Sequence, residues 1–195
     1  MRLSQSERPY KIGFLGTMAL AGAVLIFMYA STFPSEHSNV IFGAVLMAVI
    51  GVSFAYIMVG LKVKPFEFQD LVESVVWTAV SVIAIWVINK TVPFSLDVAP
   101  LSTRLFSVLM GVAEESFFRV WLCPFIFRMT RMGWLAIGLS SGIWALYHIN
   151  RYGEAGIGTF LVIFMAGCML GWVMLTSKMG DGVIFGHAIV NGLLV

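Results

Sequence analysis

The sequence predicts an all-α fold, a polytopic bundle of transmembrane helices, on the strength of three observations. Hydrophobic residues make up 59% of the 195-residue chain and charged residues only 11%, whereas soluble domains carry about 25% charged residues. The mean hydropathy is +0.94. The apolar residues also gather in segments of about 20 residues, the length that a helix needs to cross the hydrocarbon core of a bilayer. We therefore expect a multi-pass integral membrane protein.

Six long spans and a short seventh helix are expected. The long spans cover residues 13–33, 40–61, 71–89, 104–127, 133–150 and 157–177. The first is longer than the apolar region of a signal peptide, so it is expected to remain as an uncleaved span. The seventh segment begins at Gly182. Its remaining length extends only ~21 Å at ~1.5 Å per residue, so it enters the membrane without fully crossing it.

Basic residues in the loops predict the orientation of the chain. A cytoplasmic N-terminus places eight of them on the cytoplasmic side: Arg2, Arg8, Lys11, Lys62, Lys64, Arg128, Arg131 and Lys178. Only Lys90, Arg104 and Arg151 then lie outside, in agreement with the positive-inside rule. The basic residues are scattered and form no stripe, so nucleic acid is not an expected partner. Cys123 and Cys168 lie in apolar segments and are interpreted as packing residues.

The longest exposed connection, from Thr91 to Ser102, predicts a division of the chain. It contains Pro93 and Pro100, which interrupt helices. Residues 1–100 are expected to form an N-terminal half of three spans with an interfacial segment, and residues 101–195 a half that carries the chemistry.

The fourth span contains three charged residues where charges are most costly. Ionisable side chains at bilayer depth are expensive unless they are paired or face a watery cavity, so they indicate a functional site. Glu115 and Arg119 are four residues apart and can pair on one helical face, which leaves Glu114 free for another role. The alternative is a buried ion cluster that only fixes helix packing.

Two further polar pairs follow in later segments. Trp144 and His148 lie one helical turn apart in the fifth span, and His187 and Asn191 repeat that spacing in the last segment. Either histidine taken alone could simply form a hydrogen bond between helices. Gly167 and Gly171, in the sixth span, have the small-xxx-small spacing that lets neighbouring helices approach closely, and they are interpreted as packing residues.

The two histidines raise a geometric difficulty. His148 lies near the end of one span and His187 near the start of another, so straight helices would leave a gap of roughly 10 Å between them. A common site requires that residues 180–182 dip into the membrane, that the fifth helix continue toward Tyr152, or both. Asp181, between two glycines, is interpreted as a turn residue.

The order of these motifs resembles the CPBP intramembrane protease family, which comprises CAAX prenyl endopeptidases and the Abi-type proteases linked to bacteriocin processing or immunity. The resemblance covers about residues 105–193 and rests on Glu-Glu-x-x-x-Arg, then aromatic-x-x-x-His, then His-x-x-x-Asn. The middle motif of that family usually begins with Phe, whereas Trp144 holds the position here.

The resemblance implies a role for each motif. Glu114 and His148 would activate a water for attack on a peptide carbonyl. His187 and Asn191 would face the developing oxyanion. The site would be completed by residues that shape it rather than react: Glu115 and Arg119 as structural support, and Trp144 as a wall of the pocket.

The same resemblance leaves metal binding open. Glu114, His148 and His187 are candidate ligands of a zinc ion whose bound water would be the nucleophile. The sequence does not require the metal, because the same residues serve a metal-free mechanism in which a glutamate activates the water.

The predicted function is intramembrane endopeptidase activity in a prokaryotic cytoplasmic membrane. The expected partners are the bilayer and a hydrophobic or prenylated peptide or protein, either a CAAX-type tail or a small hydrophobic leader, and the oligomeric state is left open. Two other classes remain: a non-enzymatic bacteriocin-immunity or membrane scaffold protein, and a small proton or metal transporter. The absence of an evident inverted repeat in the sequence weakens the transporter hypothesis.

Overall fold

The fold is helical, as predicted, in a computed structural model that describes residues 9–30, 38–65, 67–90, 100–148 and 156–194. Two-residue strands are the other regular elements of this part of the chain. In chain order the elements are β1 Lys11–Ile12, α1 Phe14–Ala30, α2 Ser38–Phe54, β2 Lys62–Val63, α3 Phe68–Lys90, α4 Leu101–Glu115, α5 Cys123–Thr130, α6 Gly133–Tyr147, α7 Gly156–Ser177 and α8 Gly180–Leu194. Two π-helical segments, Ala55–Val59 and Ser116–Leu122, extend α2 and join α4 to α5.

Three helices in the described residues are long and apolar enough to cross a bilayer. They contain the windows Phe42–Val59, Phe68–Val87 and Ile157–Ser177, which correspond to the second, third and sixth predicted spans. The prediction of six long spans is not confirmed. Helix α1 has 17 residues and α6 has 15, and the fourth predicted span carries four charged side chains, Arg104, Glu114, Glu115 and Arg119, and a π-helical segment. Helix α8, with 15 residues, is short, as the seventh segment was expected to be.

A two-stranded parallel sheet and one isolated bridge join three segments that are distant in sequence. β1 pairs with β2, with Lys11 opposite Lys62, and Lys11 also bridges to Met179. Backbone hydrogen bonds run from Lys11 to the Lys178 carbonyl (2.8 Å) and from Lys62 to the Tyr10 carbonyl (2.9 Å). This three-segment clip (residues 10–12, 62–64 and 178–179) gathers on one face the lysines that the orientation prediction assigns to one side.

Helices from both predicted halves share one hydrophobic core. Buried residues of α2, α4, α7 and α8 belong to a single cluster, and α8 packs against α1, α3 and α4. The break predicted between Thr91 and Ser102 lies largely outside the described residues, as do Arg2, Arg8, Arg151 and Tyr152. Helix α8 therefore joins the first half of the chain to the helix that carries the glutamates.

Candidate active site

Both glutamates lie in the interior at the C-terminal end of α4, where the backbone changes to a π-helix. Glu114, Glu115 and Arg119 are 0–1% exposed. The Arg119 guanidinium Nη1 lies 3.3 Å from Glu115 Oε1, which is the predicted pair. π-helical segments frequently occur at functional sites, and this one, Ser116–Leu122, begins directly after Glu115.

Helix α6 places a tryptophan and a histidine against Glu114. The Trp144 indole Nε1–H donates to Glu114 Oε2 at 2.9 Å, and His148 Nε2 lies 3.3 Å from Glu114 Oε1. His148 follows the last residue of α6, and its Nδ1 lies 2.8 Å from the Trp144 carbonyl. Glu114 is therefore held through both oxygens by one turn of α6.

The backbone contact fixes the tautomer of His148. A carbonyl oxygen only accepts hydrogen bonds, so Nδ1 must carry the proton that it donates to Trp144. The opposite nitrogen is then an acceptor that faces a carboxylate oxygen at 3.3 Å, so that a proton placed between the two atoms would be shared by them. The Glu114–His148 pair is thus built to hold a proton.

Helix α8 places the second histidine against the second glutamate. His187 Nδ1 lies 2.8 Å from Glu115 Oε1, the same oxygen that meets Arg119. Asn191 lies one turn further along α8, and its side-chain amide donates to the Ser107 carbonyl of α4 at 3.1 Å. These contacts fasten α8 to α4 on both sides of Gly111, where an added Cβ would lie 3.1 Å from Asn191 Nδ2.

The indole of Trp144 joins the two glutamate–histidine pairs. Its ring centroid is 4.9 Å from that of His148 and 5.5 Å from that of His187. The Arg119 guanidinium carbon lies 4.1 Å from the Trp144 ring centroid, within the range of a cation–π contact. The expected gap between the histidines is therefore bridged by one aromatic ring. Residues 180–182 form the first turn of α8, and the other expected feature, a continuation of the fifth span toward Tyr152, lies outside the described residues.

The charges of the site balance when one imidazole is protonated. Among the residues of the site that the structure describes, two glutamates and one arginine leave a net charge of −1 if both histidines are neutral, and all three groups are buried. An uncompensated buried charge is strongly destabilising. A second proton on the imidazole of His187, whose Nδ1 lies 2.8 Å from Glu115 Oε1, would remove the excess and leave the Glu114–His148 pair able to accept a proton.

The described side chains do not fit a tetrahedral metal. Glu114 presents its two oxygens to Trp144 and His148, and His187 turns Nδ1 to Glu115. Donor atoms are thus directed at one another rather than at one point. Among the described residues no group of three or more His, Cys, Asp or Glu side chains could hold a metal ion, so the candidate zinc ligands Glu114, His148 and His187 do not form a metal site here.

Gly167 of α7 is a site residue that sequence reasoning interpreted only as packing. A Cβ at this position would lie 2.8 Å from Arg119 Nη2 and 3.0 Å from Trp144 Cε3. The absence of a side chain lets Arg119 and Trp144 stack against the α7 backbone. The spacing of Gly167 and Gly171 predicted a close helix contact, but nothing in the sequence indicated that Arg119 and Trp144 would lie at that contact.

Comparison with known proteins identifies the region that holds this site. Residues 97–193 match the family model described as Type II CAAX prenyl endopeptidase Rce1-like. The match covers about half of the chain, from the approach to α4 to the end of α8, and confirms the resemblance drawn from the three motifs. No curated protein and no solved structure matches the chain.

Proposed function

Because residues 97–193 belong to the Rce1-like family of type II CAAX prenyl endopeptidases, we propose that this membrane protein is an intramembrane endopeptidase in which Glu114 and His148 activate the attacking water. The single observation that carries the proposal is the buried contact between Glu114 Oε1 and His148 Nε2 at 3.3 Å. General bases of this kind must lie within hydrogen-bonding reach of the proton that they take.

The proton moves in a closed cycle. A water bound to the carboxylate of Glu114 attacks the carbonyl carbon of the substrate, and its proton passes to the Glu114–His148 pair. The tetrahedral intermediate then collapses, the carbon–nitrogen bond breaks, and the pair returns the proton to the leaving amine. The Trp144 indole N–H, 2.9 Å from Glu114 Oε2, keeps the other carboxylate oxygen fixed during both transfers.

His187 and Asn191 serve the oxyanion in this proposal. Since His187 Nδ1 is directed at Glu115, Nε2 can donate to an oxyanion only when the imidazole carries a second proton. The carboxylate of Glu115 stabilises that imidazolium. Donors of this kind are worth roughly 2.7–4 kcal/mol each in transition-state stabilisation, which makes the Glu115–His187 contact part of the catalytic electrostatics rather than a simple helix link.

We propose a CAAX-type tail or a small hydrophobic leader as the substrate, presented from the membrane. A site enclosed by apolar helices, with His148 and His187 each 7% exposed, favours a substrate that is already held in the bilayer. We also propose a prokaryotic cytoplasmic membrane as the location, with the N-terminus in the cytoplasm. The lysines of the three-segment clip would then lie on the cytoplasmic face, in keeping with the positive-inside rule.

The test is peptide cleavage by the purified protein in lipid nanodiscs. The panel contains prenylated CAAX-type peptides, the same peptides without the lipid, and hydrophobic leader peptides. We expect Glu114→Gln and His148→Ala to lower the rate by about 10²–10⁴-fold, the usual contribution of a general acid–base group. Glu67→Gln is the matched control, because Glu67 is exposed and lies outside the site.

Two outcomes would overturn the proposal. Equal cleavage by Glu114→Gln and the wild type would show that this carboxylate has no catalytic role. A folded protein that cleaves no member of the panel, yet protects cells from a bacteriocin regardless of Glu114, would instead support an immunity protein. Preference for prenylated over unmodified peptides distinguishes the CAAX-type tail from the leader.

A further inference from the structure

We propose that Asp181 is a positioning residue that sets the place of His187 by fastening the first turn of α8 to the N-terminal half of the chain. The inference rests on the proposed function for its catalytic consequence. Its structural part, the fastening itself, stands on contacts outside the candidate active site and can be tested without activity.

Asp181 is a fully buried carboxylate held by two segments that are far away in sequence. Its Oδ1 accepts a hydrogen bond from the Gly13 backbone N–H at 2.7 Å, and its Oδ2 accepts one from the Ser74 hydroxyl at 3.1 Å. The residue is 0% exposed. A buried carboxylate is costly unless it is well bonded, so the interpretation of Asp181 as a simple turn residue is wrong.

Two helix N-termini explain how the charge is tolerated. Asp181 lies in the first turn of α8, and the N–H that it accepts belongs to Gly13, directly before α1. Unpaired backbone N–H groups give a helix N-terminus a partial positive charge, which stabilises a carboxylate. One side chain thereby caps α1 from another part of the chain.

Two glycines make room for the carboxylate. A Cβ at Gly13 would lie 2.9 Å from Asp181 Oδ2, and a Cβ at Gly16 would lie 2.5 Å from Asp181 Oδ1. Side chains at either position would displace the carboxylate. The start of α1 is therefore shaped around Asp181, which points to a specific contact rather than to incidental burial.

The contact continues along α8 to the site. A Cβ at Gly182 would lie 2.5 Å from Trp77 Cβ, and a Cβ at Gly186 would lie 2.5 Å from Ser81 Cβ. Both neighbours belong to α3, as does Ser74. His187 follows Gly186 directly, about 9 Å of helical rise from Asp181. Because packed helices move as rigid bodies, the anchor at Asp181 fixes the position of His187.

The catalytic test compares Asp181→Ala with Asp181→Asn. Alanine removes both hydrogen bonds and frees α8 to slide along α3, and a displacement of ~1 Å at a reacting group costs about 10²-fold in rate. Since His187 is proposed to act on the transition state, kcat should fall while KM stays unchanged. Asparagine keeps an acceptor for Gly13 and can donate to Ser74, so it should restore most of the kcat.

A cavity variant separates positioning from general destabilisation. Leu170 is 1% exposed on α7, and Leu170→Ala should lower the unfolding temperature with little effect on kcat per folded molecule. The proposal is overturned if Asp181→Ala and Leu170→Ala lower kcat equally, or if Asp181→Asn fails to recover the loss.

A distance measurement keeps the inference independent of activity. Spin labels replace Val76 on α3 and Leu193 on α8, both exposed, in a chain whose two cysteines are replaced by alanine. Asp181→Ala should shift or broaden the distance distribution, and Asp181→Asn should leave it as in the wild type. If no peptide is cleaved but the distances respond, the proposed function fails and the anchor stands; unchanged distances in Asp181→Ala refute the anchor.

Discussion

Alanine in place of Gly167 should displace the side chains of the candidate site that lie against α7. The added Cβ would lie 2.8 Å from Arg119 Nη2, 2.9 Å from Ser141 Cβ and 3.0 Å from Trp144 Cε3. Favourable carbon contacts lie at about 3.5–4.0 Å, so one partner must move by roughly 0.5–1 Å. None can swing into solvent, because Arg119 and Ser141 are 0% exposed and Trp144 is 5% exposed.

The expected effect on stability is small and the effect on activity is large. Overpacking a buried site costs about 1–3 kcal/mol, but alanine in place of glycine in a helix regains about 1 kcal/mol. The free energy of unfolding should therefore fall by only about 0–2 kcal/mol. A displacement of Trp144 moves its hydrogen bond to Glu114, and a shift approaching 1 Å lowers the rate by as much as about 10²-fold.

Gly171→Ala is the matched control. Gly171 lies one turn further along the same helix, and its Cβ would meet Ile137 at 3.5 Å, which is an ordinary contact. This variant should be stabilised by up to about 1 kcal/mol and keep wild-type cleavage. The assay is peptide cleavage per folded molecule together with thermal unfolding in nanodiscs. Full activity of Gly167→Ala, or equal loss in both variants, would refute the reasoning.

Three other substitutions or treatments test the same geometry. Trp144→Phe keeps the aromatic wall but removes the N–H that bonds Glu114, so kcat should fall roughly 10–10²-fold, the value of a hydrogen bond to a charged group; an unchanged kcat would remove the indole N–H from the mechanism. Arg119→Lys loses the stacking on Trp144 and should lower the free energy of unfolding by about 2 kcal/mol, measured by thermal unfolding, whereas a protein as stable as the wild type would show the cation–π contact to be weak. Treatment with a strong zinc chelator should leave the cleavage rate unchanged, and a loss that added zinc restores would contradict the metal-free arrangement.

The residues of the candidate site could be singled out from the sequence because they are polar or charged residues within apolar segments. Glu114, His148 and His187 are polar side chains in apolar segments, and the four-residue spacings Glu115–Arg119, Trp144–His148 and His187–Asn191 limit the faces on which they can meet. What the spacing could not give is the pairing between helices. The structure joins Glu114 to His148 and Glu115 to His187, a division that depends on how α6 and α8 approach α4.

One interpretation failed because the contacts that decide it are not local. Asp181 stands between glycines, which is typical of a turn, but its partners Gly13 and Ser74 lie 168 and 107 residues away in the chain. No local pattern can report such a contact. Of the six long spans predicted, three are confirmed among the described residues, and the fourth segment, which carries Glu114, Glu115 and Arg119, contains a π-helical segment.

The three-segment clip has a consequence for the order in which the protein is assembled. Lys11 bonds to Lys178 and bridges to Met179, so the pairing begun by the first strand is completed only after the chain between them has been synthesised. At about 5–20 residues per second, the delay is roughly 10–30 s. During that time β1 lacks its contact with residues 178 and 179, so a chain that stops before Lys178 cannot complete the three-segment clip.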